Sequence, residues 1–281
     1  MTDLDQGPSV GVAIPCHNEA AAVAAVVAAF RAALPEARIL VLENDSTDGT
    51  GELAREAGAE VLVVPERGKG NAVRRGLEEL ATAEVVVLVD GDGTYPADHV
   101  RALIAPVLEG RAEMTVGARR PVAELGAMTP IRGIGNVLIR AAFTVLIGPG
   151  QGDLLSGYRA FSKTFRTRVR LRSTGFEIET ELAGEAVARG LRVVEVPVPY
   201  HPRICGTSSK LRAFRDGRRI LLMIVALGLR LRPWRTLGLV SGLLGCLALT
   251  LRSWPLGLLA ASLAGTALAT TTWRKRDSQE R

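Results

Sequence analysis

The sequence predicts an α/β fold in which helices cover a mostly parallel β-sheet. Between residue 9 and about residue 117, short apolar runs alternate with stretches of helical periodicity, which is typical of successive β-α-β units. The apolar run at residues 85–89 reads as a buried strand and ends in two carboxylates, Asp90 and Asp92. Ligands of open parallel sheets bind beyond the carboxyl ends of the strands, so the same run predicts where a site lies.

Five strands and four helices are predicted in this first part of the chain. The strands cover residues 10–14, 39–42, 60–64, 85–89 and 114–116. The helices cover residues 19–34, 49–57, 70–80 and 97–108. Asn18 and Asp48 precede two of these helices as N-caps, because a short side-chain oxygen satisfies the free amides of a first helical turn.

The pattern is less regular after residue 117. It predicts an amphipathic helix at residues 135–147, a glycine-rich break at 148–152 and a short extended piece at 156–162. A helix at residues 179–189 and a last strand at 192–196 follow. Prolines at positions 197, 199 and 202 are expected to end regular structure there.

The C-terminal part carries the apolar excess of a chain of 281 residues that is 47% hydrophobic. Residues 216–234 predict an interfacial amphipathic helix, and residues 235–273 predict a transmembrane helical hairpin made of two apolar blocks. A basic tail, residues 274–281, follows. The alternative is an apolar helical pair packed on a soluble core or at an oligomer interface.

The formal charge of +6 comes largely from arginines that flank the apolar blocks. This distribution favours anionic lipid or phosphate and argues against a nucleic-acid partner, which aromatic side chains between the basic ones would indicate. Basic residues on both outer flanks of the hairpin predict a multi-pass protein of the cell membrane with a cytoplasmic catalytic domain. Three widely spaced cysteines indicate neither a disulfide framework nor a zinc site.

Four polar clusters follow predicted strands or open predicted helices, at residues 14–19, 42–50, 67–72 and 90–92. The third has a glycine-flanked lysine at a helix start, which suits phosphate by its charge and by the free amides of the first turn. The fourth has two carboxylates that suit a hard divalent ion. Each cluster alone is also compatible with ordinary turn chemistry.

Together the clusters resemble the family 2 glycosyltransferases, inverting enzymes with the nucleotide-sugar-binding GT-A fold. The resemblance covers about residues 9–215, and a glycosyltransferase domain is therefore expected at residues 1–215. Asp90-Gly91-Asp92 matches the Asp-X-Asp motif of the family, which implies that both aspartates bind Mg²⁺ or Mn²⁺. The donor-binding residues that the resemblance implies are Pro15, Asn18, Glu19, Glu43, Asn44, Lys69, Gly70, Asp90, Gly91 and Asp92.

The second half looks like the polyprenyl- or dolichyl-phosphate sugar synthases of that family. Residues 153–159 are similar to their Asp-X-X-Ser-Gly-Phe/Tyr-Arg motif. Residues 203–211 resemble their Arg-X-X-Gly-X-Ser-Lys segment, with one extra residue. The acceptor-phosphate ligands expected from this likeness are Arg159, Arg203, Ser209 and Lys210, with Arg132 as a weaker candidate.

The catalytic candidates are Asp92, Glu177, Glu179 and Asp153. Which of them acts depends on the acceptor. A lipid phosphate is an oxyanion at neutral pH and needs only positioning, whereas a hydroxyl needs a carboxylate base, for which Glu177, Glu179 and Asp153 are available.

The expected function is metal-dependent, inverting transfer of a hexose or N-acetylhexosamine from a nucleotide diphosphate sugar to a polyprenyl phosphate at the cytoplasmic membrane face. One alternative keeps the donor chemistry but uses a hydroxyl acceptor on a small metabolite, a glycolipid or a natural-product intermediate. The other is a membrane-tethered nucleotide-sugar-binding protein that carries out no transfer. The sequence does not distinguish a uracil from a guanine donor.

Overall fold

The computed structural model describes residues 9–121, 130–150, 152–204, 213–251 and 254–277. A sheet of seven strands lies at its centre, in the order β3-β2-β1-β4-β6-β5-β7. The strands are β1 (Val10–Cys16), β2 (Arg38–Glu43), β3 (Glu60–Val63), β4 (Val85–Leu88), β5 (Met114–Pro121), β6 (Arg159–Ser162) and β7 (Val193–Tyr200).

Ten α-helices and one short 3₁₀-helix, Ala97–His99, are present in the described residues. The helices of the first part are α1 (Ala20–Ala33), α2 (Thr50–Glu56), α3 (Lys69–Glu79), α4 (Val100–Leu108) and α5 (Pro130–Leu146). Those of the second part are α6 (Lys163–Arg168), α7 (Ile178–Ala188), α8 (Ala213–Leu231), α9 (Pro233–Leu251) and α10 (Trp254–Asp277).

The predicted mostly parallel sheet is confirmed. Strand β1 pairs in parallel with β2 and β4, and β2–β3 and β5–β7 are also parallel. Only β6 runs the other way, between β4 and β5. Helices cover both faces, because alternate residues of the central strands enter two separate apolar clusters. Val12 and Ile14 of β1 belong to one cluster and Ala13 to the other, and all three are fully buried.

The end of β7 differs from the sequence-based expectation. The strand continues through Pro197 and Pro199 to Tyr200, opposite residues 118–121 of β5. Because β7 is the last strand of the sheet, an amide that faces outward has no strand to bond, and proline costs little there. The prediction that these prolines end regular structure is therefore wrong for Pro197 and Pro199.

A third apolar cluster joins α5, α7 and α8 beside the sheet. Phe143 of α5 and Ile224 of α8 are fully buried in it, as is Ala183 of α7. The carboxylate of Glu185 on α7 is also fully buried, and it pairs with Arg230 of α8 and Arg189. Helix α8 is thus fixed to α7, the helix that begins directly after Glu177 and contains Glu179.

Among the described residues, α9 alone is long and apolar enough to cross a membrane, with 19 residues and a mean hydropathy of 1.5. The apolar stretch of α10 is shorter, at Pro255–Ala267. The two helices pack together, and the Ser241 hydroxyl donates a hydrogen bond to the Ala260 carbonyl at 2.6 Å. A helical pair is present, but the prediction of two spanning helices is not confirmed.

Candidate active site

The polar clusters meet in one cleft at the carboxyl ends of β1, β2 and β4. The cleft is open to solvent and has an empty volume of about 490 Å³. Its lining residues are Pro15, Cys16, His17, Glu19, Asn44, Lys69, Ala72, Asp90, Gly91, Asp92, Phe176 and Arg203. Seven of the ten predicted donor-binding residues therefore lie at one site, as the strand-end rule requires. The other three do not line it: Asn18 lies in the loop after β1, Glu43 ends β2 and Gly70 is in the first turn of α3.

Asp90 follows β4 and is the more accessible of the two aspartates. Its Oδ1 atom lies 2.5 Å from the Lys69 Nζ atom. Its Oδ2 atom lies against Gly157, where an added Cβ would come within 2.4 Å of it. Gly157 of the 153–159 motif therefore leaves the room in which this carboxylate sits.

Asp92 is held more tightly. Its side chain is 4% exposed, and its Oδ1 atom accepts hydrogen bonds from the Thr94 amide at 3.1 Å and the Thr94 hydroxyl at 2.7 Å. Its Oδ2 atom lies 2.8 Å from a guanidinium nitrogen of Arg203. Oδ1 of Asp92 thus fixes the loop after β4, and Oδ2 faces Arg203, which follows β7 in the chain.

Arg203 reaches Asp92 because the chain after β7 packs on the loop after β4. The His201 amide donates to the Thr94 carbonyl at 3.0 Å, and a Cβ at Gly93 would come within 2.6 Å of the Ile204 side chain. Arg203 also lies 3.7 Å from Glu19. The predicted acceptor-phosphate residue Arg203 therefore lies inside the donor-side cleft, while Ser209 and Lys210 fall outside the described residues.

Lys69 bridges two carboxylates at the start of α3. Its Nζ atom lies 2.5 Å from Asp90 Oδ1 and 2.5 Å from Glu179 Oε1. Burial alone lowers the pKa of Lys69, but the two carboxylates outweigh burial and raise that pKa above its ordinary value. Burial raises the pKa of Glu179, and the attraction of Lys69 offsets this only in part. Glu179 thus takes part in the site by its ion pair with Lys69.

The amides in the first turn of α3 were expected to be free to bind phosphate, and this expectation is wrong for Gly70 and Asn71. The amides of Gly70 and Asn71 both donate to the Thr174 carbonyl, at 3.0 and 3.4 Å, so they are not free to bind phosphate. A Cβ at Gly70 would lie 2.3 Å from the Ser173 carbonyl oxygen. The role of Gly70 is this close contact with residues 173–174, and Lys69 alone keeps the predicted phosphate-binding character.

Asn44, Glu43 and Asn18 organise loops. Both N–H groups of the Asn44 amide donate to main-chain carbonyls, and its oxygen accepts from the Gly68 amide at 2.7 Å. Glu43 accepts from the Ser46 amide at 2.5 Å. Asn18 has a left-handed φ of 54° and accepts from the Thr47 amide at 2.8 Å. Both N–H groups of Asn44 are therefore already used by the fold.

The acidic residues around the start of α7 have different surroundings. One carboxylate oxygen of Glu177 accepts from the Gly175 amide at 3.0 Å, and the other is buried and makes no hydrogen bond within the described structure. Glu181 accepts from the amides of Arg172 and Ser173 and so fixes the preceding segment. Glu177 therefore keeps a carboxylate oxygen that the fold does not use.

Two predicted site residues are corrected by the structure. Arg159 is fully buried and donates to the carbonyls of Ser156 at 2.9 Å and Leu154 at 2.7 Å, so it cannot reach a lipid phosphate. It stabilises the turn that holds Gly157 against Asp90. Asp153 lies outside the cleft, with both oxygens 2.7 Å from the Arg119 guanidinium, so it is not placed to act as a base.

We expect Asp153→Asn to lower the free energy of unfolding by about 2 kcal/mol at pH 7, because a charge-assisted pair with Arg119 is lost. Burial raises the pKa of Asp153, but the hydrogen bonds from Arg119 outweigh it and hold that pKa below its ordinary value. The native carboxylate therefore adds stability above about pH 4, which is lost as the pH falls through its lowered pKa.

Urea unfolding at pH 7 and pH 3 tests this expectation. The difference between Asp153→Asn and the wild type should shrink at pH 3. Asp98 is exposed and forms an ion pair with the neighbouring His99, so Asp98→Asn serves as a control with a small expected effect. A pH-independent difference would contradict the assignment.

Sequence reasoning missed four residues that line the cleft, Cys16, His17, Ala72 and Phe176. His17 joins two loops through contacts with the Asn44 carbonyl at 2.8 Å and Arg67 at 2.9 Å. The Phe176 ring lies 5.8 Å from Lys69 Nζ, and Cys16 packs against Gly91. Cys16 and His17 lie inside the cluster at residues 14–19, and Ala72 lies inside the cluster at residues 67–72, which was the available signal for these three. Phe176 directly precedes the predicted carboxylate Glu177.

The charges of the site fit a divalent cation. Four carboxylates, of Glu19, Asp90, Asp92 and Glu179, contact the two cations Lys69 and Arg203, which leaves a formal charge of −2. Within the described part of the chain, no group of three metal-ligating side chains is present. Mg²⁺ commonly binds one or two carboxylates together with substrate phosphates, and Asp90 and Asp92 match that arrangement.

The family model described as Glycosyl transferase family 2 matches residues 11–127. The glycosyltransferase AglJ of Haloferax volcanii is 41% identical over 214 residues, which are 76% of this chain and 70% of that protein. A polyprenol monophosphomannose synthase of Mycolicibacterium smegmatis is 30% identical in an alignment of 247 positions that covers 82% of this chain and 90% of that protein.

A solved structure of glucosyl-3-phosphoglycerate synthase from Mycobacterium tuberculosis, in complex with Mn²⁺ and UDP-glucose, shares the fold. The TM-score is 0.63 at 22% identity, over 80% of this chain and 79% of that one. The cleft residues from β1 to Asp92 lie inside the matched family region, and the relatives extend the likeness through β7. The chain is a glycosyltransferase and belongs to family 2.

Proposed function

We propose that the enzyme transfers a hexose or N-acetylhexosamine from a nucleotide diphosphate sugar to a polyprenyl phosphate at a membrane surface. The contact between Arg203 and Asp92 supports this most strongly. It places Arg203, which belongs to the segment that resembles the acceptor-binding motif, in the same cleft as the residues predicted to bind the donor diphosphate. The likeness to a polyprenol monophosphomannose synthase supports the same acceptor class.

On the donor side, Asp90 and Asp92 would hold Mg²⁺ or Mn²⁺, which when bound neutralises charge on the departing diphosphate. Lys69 is fixed between Asp90 and Glu179, so its ammonium is already oriented toward the cleft. A preorganised charge of this kind stabilises a leaving group without reorganisation during the reaction.

On the acceptor side, a lipid phosphate requires a positioned cation and no general base. The Arg203 guanidinium provides paired donors that match phosphate oxygens. Its side chain is 30% exposed, so it remains accessible from the cleft opening. Asp153, one base candidate for a hydroxyl acceptor, is paired to Arg119 outside the cleft.

A hydroxyl acceptor is the second candidate function, and one observation favours it. One carboxylate oxygen of Glu177 is buried without a hydrogen-bond partner among the described residues, and Phe176, the preceding residue in the chain, lines the cleft. Glu177 is therefore our candidate for the base that would accept a proton from a hydroxyl. Glu177→Gln separates the two functions. Transfer to a lipid phosphate should keep its rate in this variant, whereas transfer to a hydroxyl should fall by about 10²-fold or more.

Membrane attachment through the C-terminal helices is part of this proposal. Leu243 and Leu249 of α9 are 72% and 81% exposed, which suits contact with lipid. We propose a multi-pass protein of the cell membrane with the cleft on the cytoplasmic side, where basic residues flank the helices.

We expect Arg203→Met to raise the KM for polyprenyl phosphate by about 10- to 100-fold, because a hydrogen-bonded charge on the acceptor is lost. Nucleoside diphosphate affinity, measured by calorimetry, should change far less. The assay combines a panel of UDP- and GDP-sugars with a short-chain polyprenyl phosphate, with and without Mn²⁺, and detects product by mass spectrometry.

Arg101→Met on the exposed surface of α4 is the matched control and should leave both quantities unchanged. An equal loss of donor and acceptor affinity in Arg203→Met would contradict the acceptor role. Donor binding without transfer to any lipid phosphate or hydroxyl acceptor would favour a membrane-tethered binding protein instead.

A further inference from the structure

We infer that the enzyme has a second anion site, separate from the catalytic cleft, that binds a small phosphate-bearing molecule with an apolar part, such as a nucleotide. The site is the groove between the outer side of α3, helix α6 and residues 169–171, which we name the basic groove. Its open volume is about 930 Å³, compared with about 490 Å³ for the cleft.

The basic groove carries an excess of positive charge. Arg74, Lys163, Arg166 and Arg170 line it, and Glu78 is its one acidic lining residue. Glu78 pairs at 2.8 Å with Arg75, which is not part of the lining. Uncompensated cations in a concave surface focus a positive potential, which attracts anions.

The four cations of the groove are not neutralised by the described protein. Lys163 and Arg170 make no side-chain hydrogen bond or ion pair with any described residue. Arg166 donates to the main-chain carbonyls of residues 80, 81, 83 and 84, which fix its position but leave its charge unbalanced. Arg74 donates to the neutral Asn71 side chain at 2.7 Å.

The base of the basic groove is apolar. The partly buried Leu77 of α3 and Leu171 supply apolar surface among the cations, beside the buried Phe165 and Val169. A bare inorganic ion would leave this apolar surface in water, whereas a ligand with an apolar ring next to its phosphate covers it. A flat bilayer cannot follow a concave surface, so the shape favours a soluble ligand over a lipid surface.

The basic groove shares two structural elements with the catalytic cleft. Helix α3 begins with Lys69 in the cleft and presents Arg74 and Leu77 to the groove. Residues 170–171 line the groove, and the Ser173 and Thr174 carbonyls contact Gly70 beside Lys69. Occupancy of the groove therefore acts on the segment that positions Lys69, and ligands of the two sites are expected to change each other's affinity.

Calorimetric titration of the full-length enzyme with ADP, UMP and inorganic phosphate tests the inference. The cleft also binds phosphates, so the titration is repeated in Asp90→Asn, where groove binding should persist. In Lys163→Glu/Arg170→Glu, the affinity of the groove for ADP and UMP should fall at least tenfold. Arg55→Glu/Arg101→Glu, which makes the same charge change at exposed sites, should leave it unchanged.

Thermal unfolding checks that all variants fold. The inference is overturned if Lys163→Glu/Arg170→Glu leaves nucleotide binding unchanged. It is also overturned if no nucleotide binds up to about 5 mM, since a Kd above that concentration means negligible affinity. Groove-dependent binding of phosphatidylglycerol vesicles without nucleotide binding would also overturn it, in favour of a lipid contact.

Discussion

Asp90→Asn is expected to lower sugar transfer by about 10²- to 10³-fold, the range found when one preorganised charge-stabilising group is removed from an active site. Asparagine keeps the shape of the side chain, so the contact with Gly157 is preserved. The negative charge is lost, and Lys69 then pairs with Glu179 alone. Single-turnover rates at saturating donor measure the effect on chemistry, and Mn²⁺ binding followed by electron paramagnetic resonance gives a readout that does not depend on activity.

Asp45→Asn is the matched control, because Asp45 is an exposed carboxylate whose nearest ion-pair partner, Arg67, lies 4.0 Å away. This control should transfer sugar at the wild-type rate. If Asp90→Asn did so too, the carboxylate would have no part in stabilising the departing diphosphate. Unchanged Mn²⁺ affinity together with lost transfer would remove Asp90 from the metal site but not from catalysis.

Gly70→Ala is expected to destabilise the fold by about 2 to 3 kcal/mol, the upper range for inserting one carbon atom into a packed region. The added Cβ would lie 2.3 Å from the Ser173 oxygen and 2.7 Å from its carbonyl carbon. Both are main-chain atoms and cannot rotate away, so α3 and residues 173–174 must separate. Lys69 moves with α3, and transfer should therefore fall together with stability.

Gly217→Ala in α8 is the control for this change, since no atom lies within 4 Å of the added carbon. Alanine is the better helix former, so the control should be neutral or more stable by about 0.5 to 1 kcal/mol. Denaturant unfolding gives the stabilities, and calorimetry with UDP gives cleft affinity. Equal stability of Gly70→Ala and the wild type would mean that α3 is not fixed by residues 173–174.

The central strands could be predicted from sequence because burial on both faces produces continuous apolar runs. Residues 85–88 show this most clearly, and they form β4 between β1 and β6. The place of β6 could not be predicted, since its antiparallel pairing with β4 and β5 joins segments far apart in the chain. Helix α6 has only six residues, too few to show a helical period, although Ser162 caps it.

The donor-side residues could be predicted because strand ends carry ligands, a rule that needs only local sequence. Asp90 and Asp92 were found in this way, and Lys69 was found from its position between glycines at the start of a helix. Arg159 and Asp153 were misassigned because a motif does not reveal burial, and each is engaged by groups that the sequence does not place beside it. The approach of Arg203 to Asp92 depends on how the chain after β7 packs, which is a property of the whole fold.

The position of the Lys69 ammonium affects how a further cation binds in this cleft. Because its ammonium already lies between Asp90 and Glu179, the two carboxylates never face each other as bare like charges. The Lys69 ammonium already balances most of the repulsion between the carboxylates of Asp90 and Glu179. A further cation that binds here must either join this ammonium or replace it. Lys69 is thus a built-in counter-ion that keeps Asp90 and Glu179 close together before any further cation binds.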